Sequence, residues 1–348
     1  MSERRSPTDL PVVFANFWAT GGMRHYADSV VEALSARTRV VYLRNYSTTV
    51  PCESEPIGLS FPPVTPSHWN ALRQIRRTLQ RSPSRAVHLN NEQPALLPLY
   101  PRLAGLNSVI TLHDARSHAG ESLQKRAFHL LHLRLVRRFV RKVIVHSEAI
   151  RDALPAWFPR ARVHIVPHVN YRRWARASPA APAPPLRVLF FGRILAYKGL
   201  DVLLEAFAPL DPQHFHLTIA GEGAMPPVSA PNIDVLNRFV SDDEMAELFQ
   251  AAHAVALPYR AASQSGVAHM AFAFGRPVVA TRVGALAEAV RDGENGILVP
   301  PGDAAALSAA LQRLAETDLR QRFEATIASD QLGSDAEIGA RLLAVYDA

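Results

Sequence analysis

The 348-residue chain is 48% hydrophobic and 20% charged, apolar enough to bury the cores of two domains of about 150 residues each and too apolar for a disordered polymer. Its 38 Lys and Arg against 31 Asp and Glu give a net charge of +7. That excess suits nucleic acid, an anionic membrane surface or an anionic substrate, but the near-balance of acids and bases and the lack of a nucleic-acid-binding motif argue against the first. A single cysteine, Cys52, excludes an internal disulfide and a cysteine-based metal site. The N-terminus has no apolar h-region and no run nears the roughly twenty residues of a membrane span, so a cytoplasmic protein is expected, with peripheral attachment to the inner face of a membrane as an option.

In chain order, Val12–Phe17 reads as a buried strand, followed by Gly21 and Gly22 and a helix over about Met23–Leu34. Strand, glycine turn and helix open a doubly wound domain. The two glycines either make a tight turn or let a ligand approach the backbone closely. Arg24 and His25 at the helix start face the same region. Further strands are expected at Val40–Leu43, Ala86–Asn90, Ser108–Leu112 and Val143–Glu148, with a basic helix over Trp69–Leu79. His113 and Asp114 lie just off the Ser108 strand, at the end where open α/β sheets bind ligands.

A long helix is then expected to about Lys142, with Phe128, Leu131, Leu135 and Phe139 as its apolar face. Arg134, Arg137, Arg138 and Arg141 recur on another face, which is either a solvated surface or one drawn to anionic lipid headgroups. Ser147 fits the N-cap of the next helix, and Val163–Asn170 closes the first half. His146, His164 and His168 lack metal-site spacing, and no metal is expected. Ser178–Pro185 is proline-rich and semi-rigid. These features place an N-terminal domain at 1–174, a linker at 175–186, a second domain at 187–330 and a terminal helix at 331–348.

The second domain opens with the strand Val188–Phe191, which delivers Gly192, Arg193 and Lys198 to its C-terminal end. After Leu257-Pro258-Tyr259, the turn Gln264-Ser265-Gly266-Val267 precedes another helix and the strand Pro277–Thr281. Arg193 offers a fixed fork of donors and Lys198 a mobile point charge. The turn presents backbone N–H groups backed by a helix dipole. Together they suit a diphosphate without a metal. Taken singly, they are equally solvated charges and an ordinary N-cap.

Phe190-Phe191-Gly192-Arg193 through Lys198-Gly199-Leu200-Asp201, then Leu217–Gly223, Asn237–Val240, Glu244–Phe249, Gly284–Glu288, Asp292–Gly296 and Val299–Asp303, resemble the donor domain of the family-4 retaining glycosyltransferases of GT-B fold. The likeness is close over 187–315 and looser elsewhere. It implies an α/β fold of two Rossmann-like doubly wound domains facing a central cleft, with the last helix crossing back to the N-terminal domain. It also implies transfer of a hexosyl group from a nucleoside diphosphate sugar to a glycan or lipid-linked acceptor, in polysaccharide biosynthesis, with retention and with no cofactor or metal.

By the same resemblance, Arg193 and Lys198 neutralise the leaving diphosphate, and Gln264, Ser265, Gly266 and Val267 line it. Gly21 and Gly22 lie over the donor phosphates, Arg238, Phe239 and Val240 meet the base, and His113 sits beside the transferred sugar. One departure concerns the family's two glutamates, which are replaced by Ala262 and Met270, with no Asp or Glu between Glu247 and Glu288. Gln264, Ser263 or backbone groups would then hold the ribose. The departure leaves open a catalytically silent nucleotide-sugar-binding partner subunit, or a sugar-nucleotide epimerase or hydrolase of the same fold.

Overall fold

A computed structural model describes residues 10–17, 21–44, 46, 48–50, 52–56, 66–81, 84–90, 94–116, 122–175, 183–228, 230–262, 264–330 and 333–348. The chain forms two compact units, one comprising Met1–Val169 with Leu332–Ala348 and the other Asn170–Gln331.

Unit 1 is built on a seven-stranded parallel sheet. Its strands are β1 (Val12–Asn16), β2 (Val40–Arg44), β3 (Glu53–Pro56), β4 (Ala86–Asn90), β5 (Ser108–Thr111), β6 (Lys142–Val145) and β7 (Val163–Ile165), in the order β3-β2-β1-β4-β5-β6-β7. Around them lie α1 (Gly21–Ser35), α2 (Pro66–Arg81), α3 (Tyr100–Leu103), α4 (Leu123–Phe139) and α5 (Glu148–Ala153).

The inner strands are apolar along their length because a parallel sheet is covered on both faces. Val13, Leu43, Val87, Ile110 and Val143 meet in one core with Leu133 and Val136 of α4. Each such side chain contributes about 1.5–3 kcal/mol by leaving water.

Unit 2 repeats the plan with β8 (Leu186–Phe191), α6 (Leu200–Phe207), β9 (Phe215–Ala220), β10 (Ile233–Leu236), α7 (Asp242–Ala251), β11 (Ala254–Leu257), α8 (Gly266–Ala273), β12 (Val278–Thr281), α9 (Leu286–Ala289), β13 (Gly296–Val299), α10 (Ala304–Ala315) and α11 (Thr317–Ser329). Its six strands run in the order β10-β9-β8-β11-β12-β13 and are all parallel. The winding direction therefore reverses between β1 and β4 in unit 1 and between β8 and β11 in unit 2. Open α/β sheets bind ligands beyond the carboxyl ends of the strands at such reversals.

Three differences from the sequence reading have physical causes. The contacts divide the chain at 169/170 and not at 174, because Tyr171 and Arg172 pack with unit 2; residues 176–182 of the proline-rich stretch lie outside the described residues. The long basic helix stops at Phe139, where Val140 turns to an extended conformation and the β-branched run Val143-Ile144-Val145 enters the sheet.

Its buried face is also rotated from the expected one. His129, His132, Leu133 and Val136 face inward, while Leu131 is 47% exposed and Phe128, Leu135 and Phe139 are half-buried. The two histidines are accommodated by Tyr100 Oη, 2.6 Å from His132 Nε2, and by the Ala115 carbonyl, 3.2 Å from His129 Nε2.

The final helix, α12 (Asp335–Asp347), belongs to unit 1 and lies on α1. Tyr346 is buried and its Oη bonds His88 Nδ1 at 2.7 Å, while its carbonyl accepts from Lys142 Nζ and Asn107 Nδ2 at 3.0 and 2.7 Å.

Candidate functional site

In unit 2, β8 and β11 lie side by side, so the loops that follow them are neighbours. Gly192 ends β8 in a left-handed conformation (φ +97°), and a Cβ there would stand 2.8 Å from Lys198 Nζ. The missing side chain is what lets the ammonium fold back over the strand end. Lys198 closes a short 3₁₀ turn over Ala196–Lys198, is 7% exposed, and donates to the Phe191 carbonyl at 3.4 Å. It also sits 5.4 Å from the centre of the Tyr259 ring.

No carboxylate pairs with Lys198 or Arg193 among the described residues. Burial, and then the Arg193 charge, push the Lys198 ammonium down to about 8. Arg193 itself is exposed.

The loop after β11 is strapped to the loop after β8. Arg260 N donates to the Tyr197 carbonyl at 2.7 Å and its guanidinium to Asp201 Oδ1 at 2.8 Å. Tyr259 is buried, its phenol pushed up to about 12 by that burial with the Ser265 hydroxyl acting the other way.

Gln264 and Ser265 then lead into α8, whose first residues are Gly266 and Val267. Ser265 occupies the N-cap position without capping. By contrast, α7 carries a full capping box in which Ser241 and Glu244 satisfy each other's backbone groups. The first N–H groups of a helix have no partner within it, so the start of α8 offers donors and a positive dipole end together. Gln264 Oε1 is buried beside it without a hydrogen-bond partner among the described residues.

The segment expected to meet a base divides in two. The Arg238 guanidinium is clamped by Glu244 at 2.6 and 3.1 Å and donates to the Phe239 carbonyl at 3.1 Å, so it is committed to the α7 cap. The Phe239 ring is 62% exposed and Val240 is partly exposed, leaving an apolar face at the end of β10. Met270 is a buried residue of α8, 5% exposed. Ser263 lies outside the described residues.

In unit 1, Gly21 and Gly22 form the first turn of α1, two residues earlier than expected, and a Cβ on either would meet nothing within 4 Å among the described residues. Open space therefore lies beside both. His113 follows β5, 5% exposed, with its Nε2 3.0 Å from Asn90 Oδ1. Asn90 Nδ2 in turn donates to Asn16 Oδ1 at 3.1 Å and Asn16 Nδ2 to Tyr46 Oη at 2.9 Å. Tyr46 bonds Tyr42, which donates to Asp28 Oδ1 at 3.1 Å.

With the Asn90 amide oriented by Asn16, His113 carries its proton on Nε2 and keeps a lone pair on Nδ1. Burial, then His146 and His88, hold its imidazolium form well below the usual range, so it is a neutral group. Sequence inspection left a neutral or a charged donor open at this position; only the neutral one fits this environment.

Sequence reasoning missed what surrounds His113. His113, His146 and His168 follow β5, β6 and β7 and pack edge-on around the Tyr26 ring, with centroid distances of 4.6, 5.1 and 5.1 Å. His146 Nδ1 donates to the Val166 carbonyl at 2.9 Å, and burial pushes its imidazolium down to about 4. No group of three or more metal-ligating side chains with suitable geometry occurs among the described residues. The strand register alone predicts that three residues at successive strand ends share a neighbourhood, but which helical ring fills the middle does not follow from it.

Unit 2 thus brings together Arg193, Lys198, Gln264, Ser265, Gly266 and Val267 around one strand crossover, with Phe239 on a separate strand end. Unit 1 carries His113, Gly21 and Gly22.

Residues 185–317 match the family model described as glycosyl transferases group 1, and residues 21–168 match the glycosyl transferase 4-like domain. A GDP-mannose:glycolipid 4-beta-D-mannosyltransferase of Xanthomonas campestris pv. campestris is 29% identical over 249 residues, which is 68% of this chain and 68% of that protein. Among solved structures, sucrose-phosphate synthase from Thermosynechococcus elongatus superposes with a TM-score of 0.76 at 20% identity, over 97% of this chain and 98% of that one. Anabaena HepE, solved in complex with UDP and glucose, superposes with a TM-score of 0.75 at 17% identity, over 97% and 100%. These two likenesses are of fold.

Proposed function

The chain belongs to the group 1 glycosyltransferases of GT-B fold, and from that premise we propose that it moves a hexosyl group from a nucleoside diphosphate sugar to a glycan or lipid-linked acceptor. The anomeric configuration is retained and no metal ion takes part. One observation carries this reading: a buried ammonium with no counter-ion among the described residues stands beside an uncapped helix start. Burying an unpaired charge is costly, and an arriving diphosphate would offset the cost.

In the reaction, the bond between the anomeric carbon and the diphosphate oxygen breaks while the acceptor oxygen bonds that carbon. The acceptor proton passes to the departing phosphate oxygen on the same face. Negative charge grows on the diphosphate, and Arg193, Lys198 and the Gly266 and Val267 amides stabilise it where it develops. Gln264 Oε1 accepts from a ribose hydroxyl in place of the family's carboxylate, and Phe239 stacks on the base. His113 accepts from a sugar hydroxyl at Nδ1, and Gly21 and Gly22, lacking side chains, let the backbone approach the donor phosphates closely.

A membrane-borne acceptor fits α4, where Leu123, Leu130 and Leu131 are 79%, 42% and 47% exposed beside exposed Arg126, Arg134 and Arg138. Apolar side chains flanked by arginines suit an anionic bilayer surface, and the Xanthomonas relative is named for a glycolipid. No helix among the described residues is long and apolar enough to cross a membrane.

The replacement of two family glutamates by Ala262 and Met270 favours a second reading, a catalytically silent partner subunit that binds donor.

The test is a calorimetric panel of UDP, GDP and ADP and their sugars in the presence of EDTA, on wild type and Arg193→Ala, followed by transfer to lipid-linked acceptors on anionic vesicles. Binding lost in Arg193→Ala, with transfer giving a product whose anomer by NMR matches the donor, is the expected result. Binding without turnover on any acceptor moves the chain to the second reading, and an inverted product overturns retention. No binding without a divalent ion, restored by adding one, overturns metal independence.

A further inference from the structure

Tyr171, the second residue of unit 2, is the sole non-glycine with positive φ among the described residues, at +54°, and it is 2% exposed. A bulky side chain holds the left-handed region only where its surroundings over-determine it, and such positions cluster at functional sites.

The restraints are visible. Asn170 Oδ1 accepts from Arg172 N at 3.2 Å, and Trp174 N donates to the Tyr171 carbonyl at 2.9 Å, closing the 3₁₀ turn Arg172–Trp174. The Arg172 guanidinium donates to the Asp330 carbonyl at 2.6 Å, and the Asp330 carboxylate accepts from Arg291 at 2.8 Å. The backbone is thereby fixed to the end of α11.

So turned, Tyr171 sends its phenol to the start of α8. A Cβ built on Gly266 would stand 3.3 Å from Tyr171 Oη and 3.8 Å from Cε2. The phenol thus stands in close contact with the first turn, and even a methyl at 266 would make it give by a few tenths of an ångström. Helix α8 has only 8 residues, no capping side chain and no acid in its first turn. Isolated helices below about 12 residues are marginal in water, so this one depends on what packs against it.

We propose that Tyr171 is a positioning residue that clamps the first turn of α8 and so fixes the Gly266 and Val267 amides for the donor diphosphate. The proposal rests on the reading of that turn as the phosphate site. Misplacement of a binding group by about 1 Å costs on the order of a hundredfold in rate, so a clamp here acts on turnover without touching substrate.

Amide hydrogen exchange over residues 264–273 tests the clamp without any ligand, and titration with UDP and GDP tests its consequence. Tyr171→Gly relieves the backbone conformation while deleting the ring, and Tyr171→Phe keeps the ring. In Tyr171→Gly, exchange in α8 rises by about tenfold or more while β8 and β9 amides stay protected, and diphosphate affinity drops by about tenfold; Tyr171→Phe restores both.

Unchanged α8 exchange in Tyr171→Gly overturns the proposal, as does a uniform rise across unit 2, which would mark Tyr171 as mere core. Local loosening in a protein whose wild type binds neither UDP nor GDP supports the clamp and overturns the phosphate reading instead.

Discussion

Replacing Lys198 by methionine separates binding from stability, because the two should move in opposite directions. The folded protein depresses the Lys198 ammonium from 10.5 to about 8, first through burial and then through Arg193. At pH 7 that depression corresponds to about 3 kcal/mol spent in keeping the group charged inside the fold. Methionine keeps the stem and removes the charge. Against the gain stands the cation–π contact to Tyr259, worth about 0.5–1 kcal/mol, and the long bond to the Phe191 carbonyl. The net expectation at pH 7 is stabilisation of roughly 1–2 kcal/mol, a rise of about 2–8 °C in melting temperature for a unit of this size.

The sign with pH follows from the unfolded chain holding its proton to 10.5 while the folded one releases it near 8. Wild-type stability thus climbs between those values, and the advantage of Lys198→Met fades over the same interval. Diphosphate affinity should fall in the variant by about 10- to 100-fold, the worth of one charge-assisted hydrogen bond, and in wild type it should weaken as the pH rises through 8. Scanning calorimetry at pH 7 and pH 9.5, with and without UDP or GDP, reads all of this. A variant that is less stable at pH 7 and binds diphosphate as tightly as wild type would refute the assignment of a charged, ligand-seeking Lys198.

Three further outcomes are expected. Gly284→Ala must fit a Cβ 1.6 Å from the Ala262 carbonyl oxygen at a φ of +46°, so chemical denaturation should show a loss above about 2 kcal/mol. Tyr346→Phe removes the buried bond to His88 and should cost about 1–2 kcal/mol in unfolding free energy, with calorimetric affinity for UDP or GDP unchanged. Met270→Glu restores the family's carboxylate at a buried site; desolvation of the acid should destabilise the protein by about 1–3 kcal/mol or more, and a variant that is both stable and faster in a transfer assay would show that the missing glutamate limits activity.

Much of this architecture was legible in the residues. The strand at Ala86–Asn90 has the expected bounds, and Ser147 caps α5 by accepting from Ile150 N at 3.2 Å. Both depend on local chemistry, apolar β-branched runs and a cap, and local chemistry is what a sequence displays. The short strand Glu53–Pro56 was not seen, since its polar sequence pairs only because β2 presents a free edge. Nor was Tyr100–Leu103, where a proline-rich segment turns helical.

The orientation of α4 escaped for a different reason. His129 and His132 took no part in the apolar pattern, yet each meets a partner more than ten residues away that lets it go inside. At the candidate site, the order of Arg193, Lys198 and Gln264–Val267 was enough to propose an anion pocket. The sequestration of Arg238 by Glu244 and the contact of Tyr171 with Gly266 were not, because each depends on a backbone path that spacing does not encode.

The placement of α12 also sets the order in which the protein can be finished. Asn170–Gln331 is a continuous stretch inserted into a unit whose last piece, Leu332–Ala348, follows it in the chain. During synthesis, the inserted unit is complete while its host still lacks Tyr346, the hydroxyl that meets His88 and the carbonyl that receives Lys142. The earlier strands therefore wait, with His88 and Lys142 each one partner short, until α12 leaves the ribosome. Loss of the thirteen residues of α12 would leave unit 1 in that waiting state and unit 2 intact.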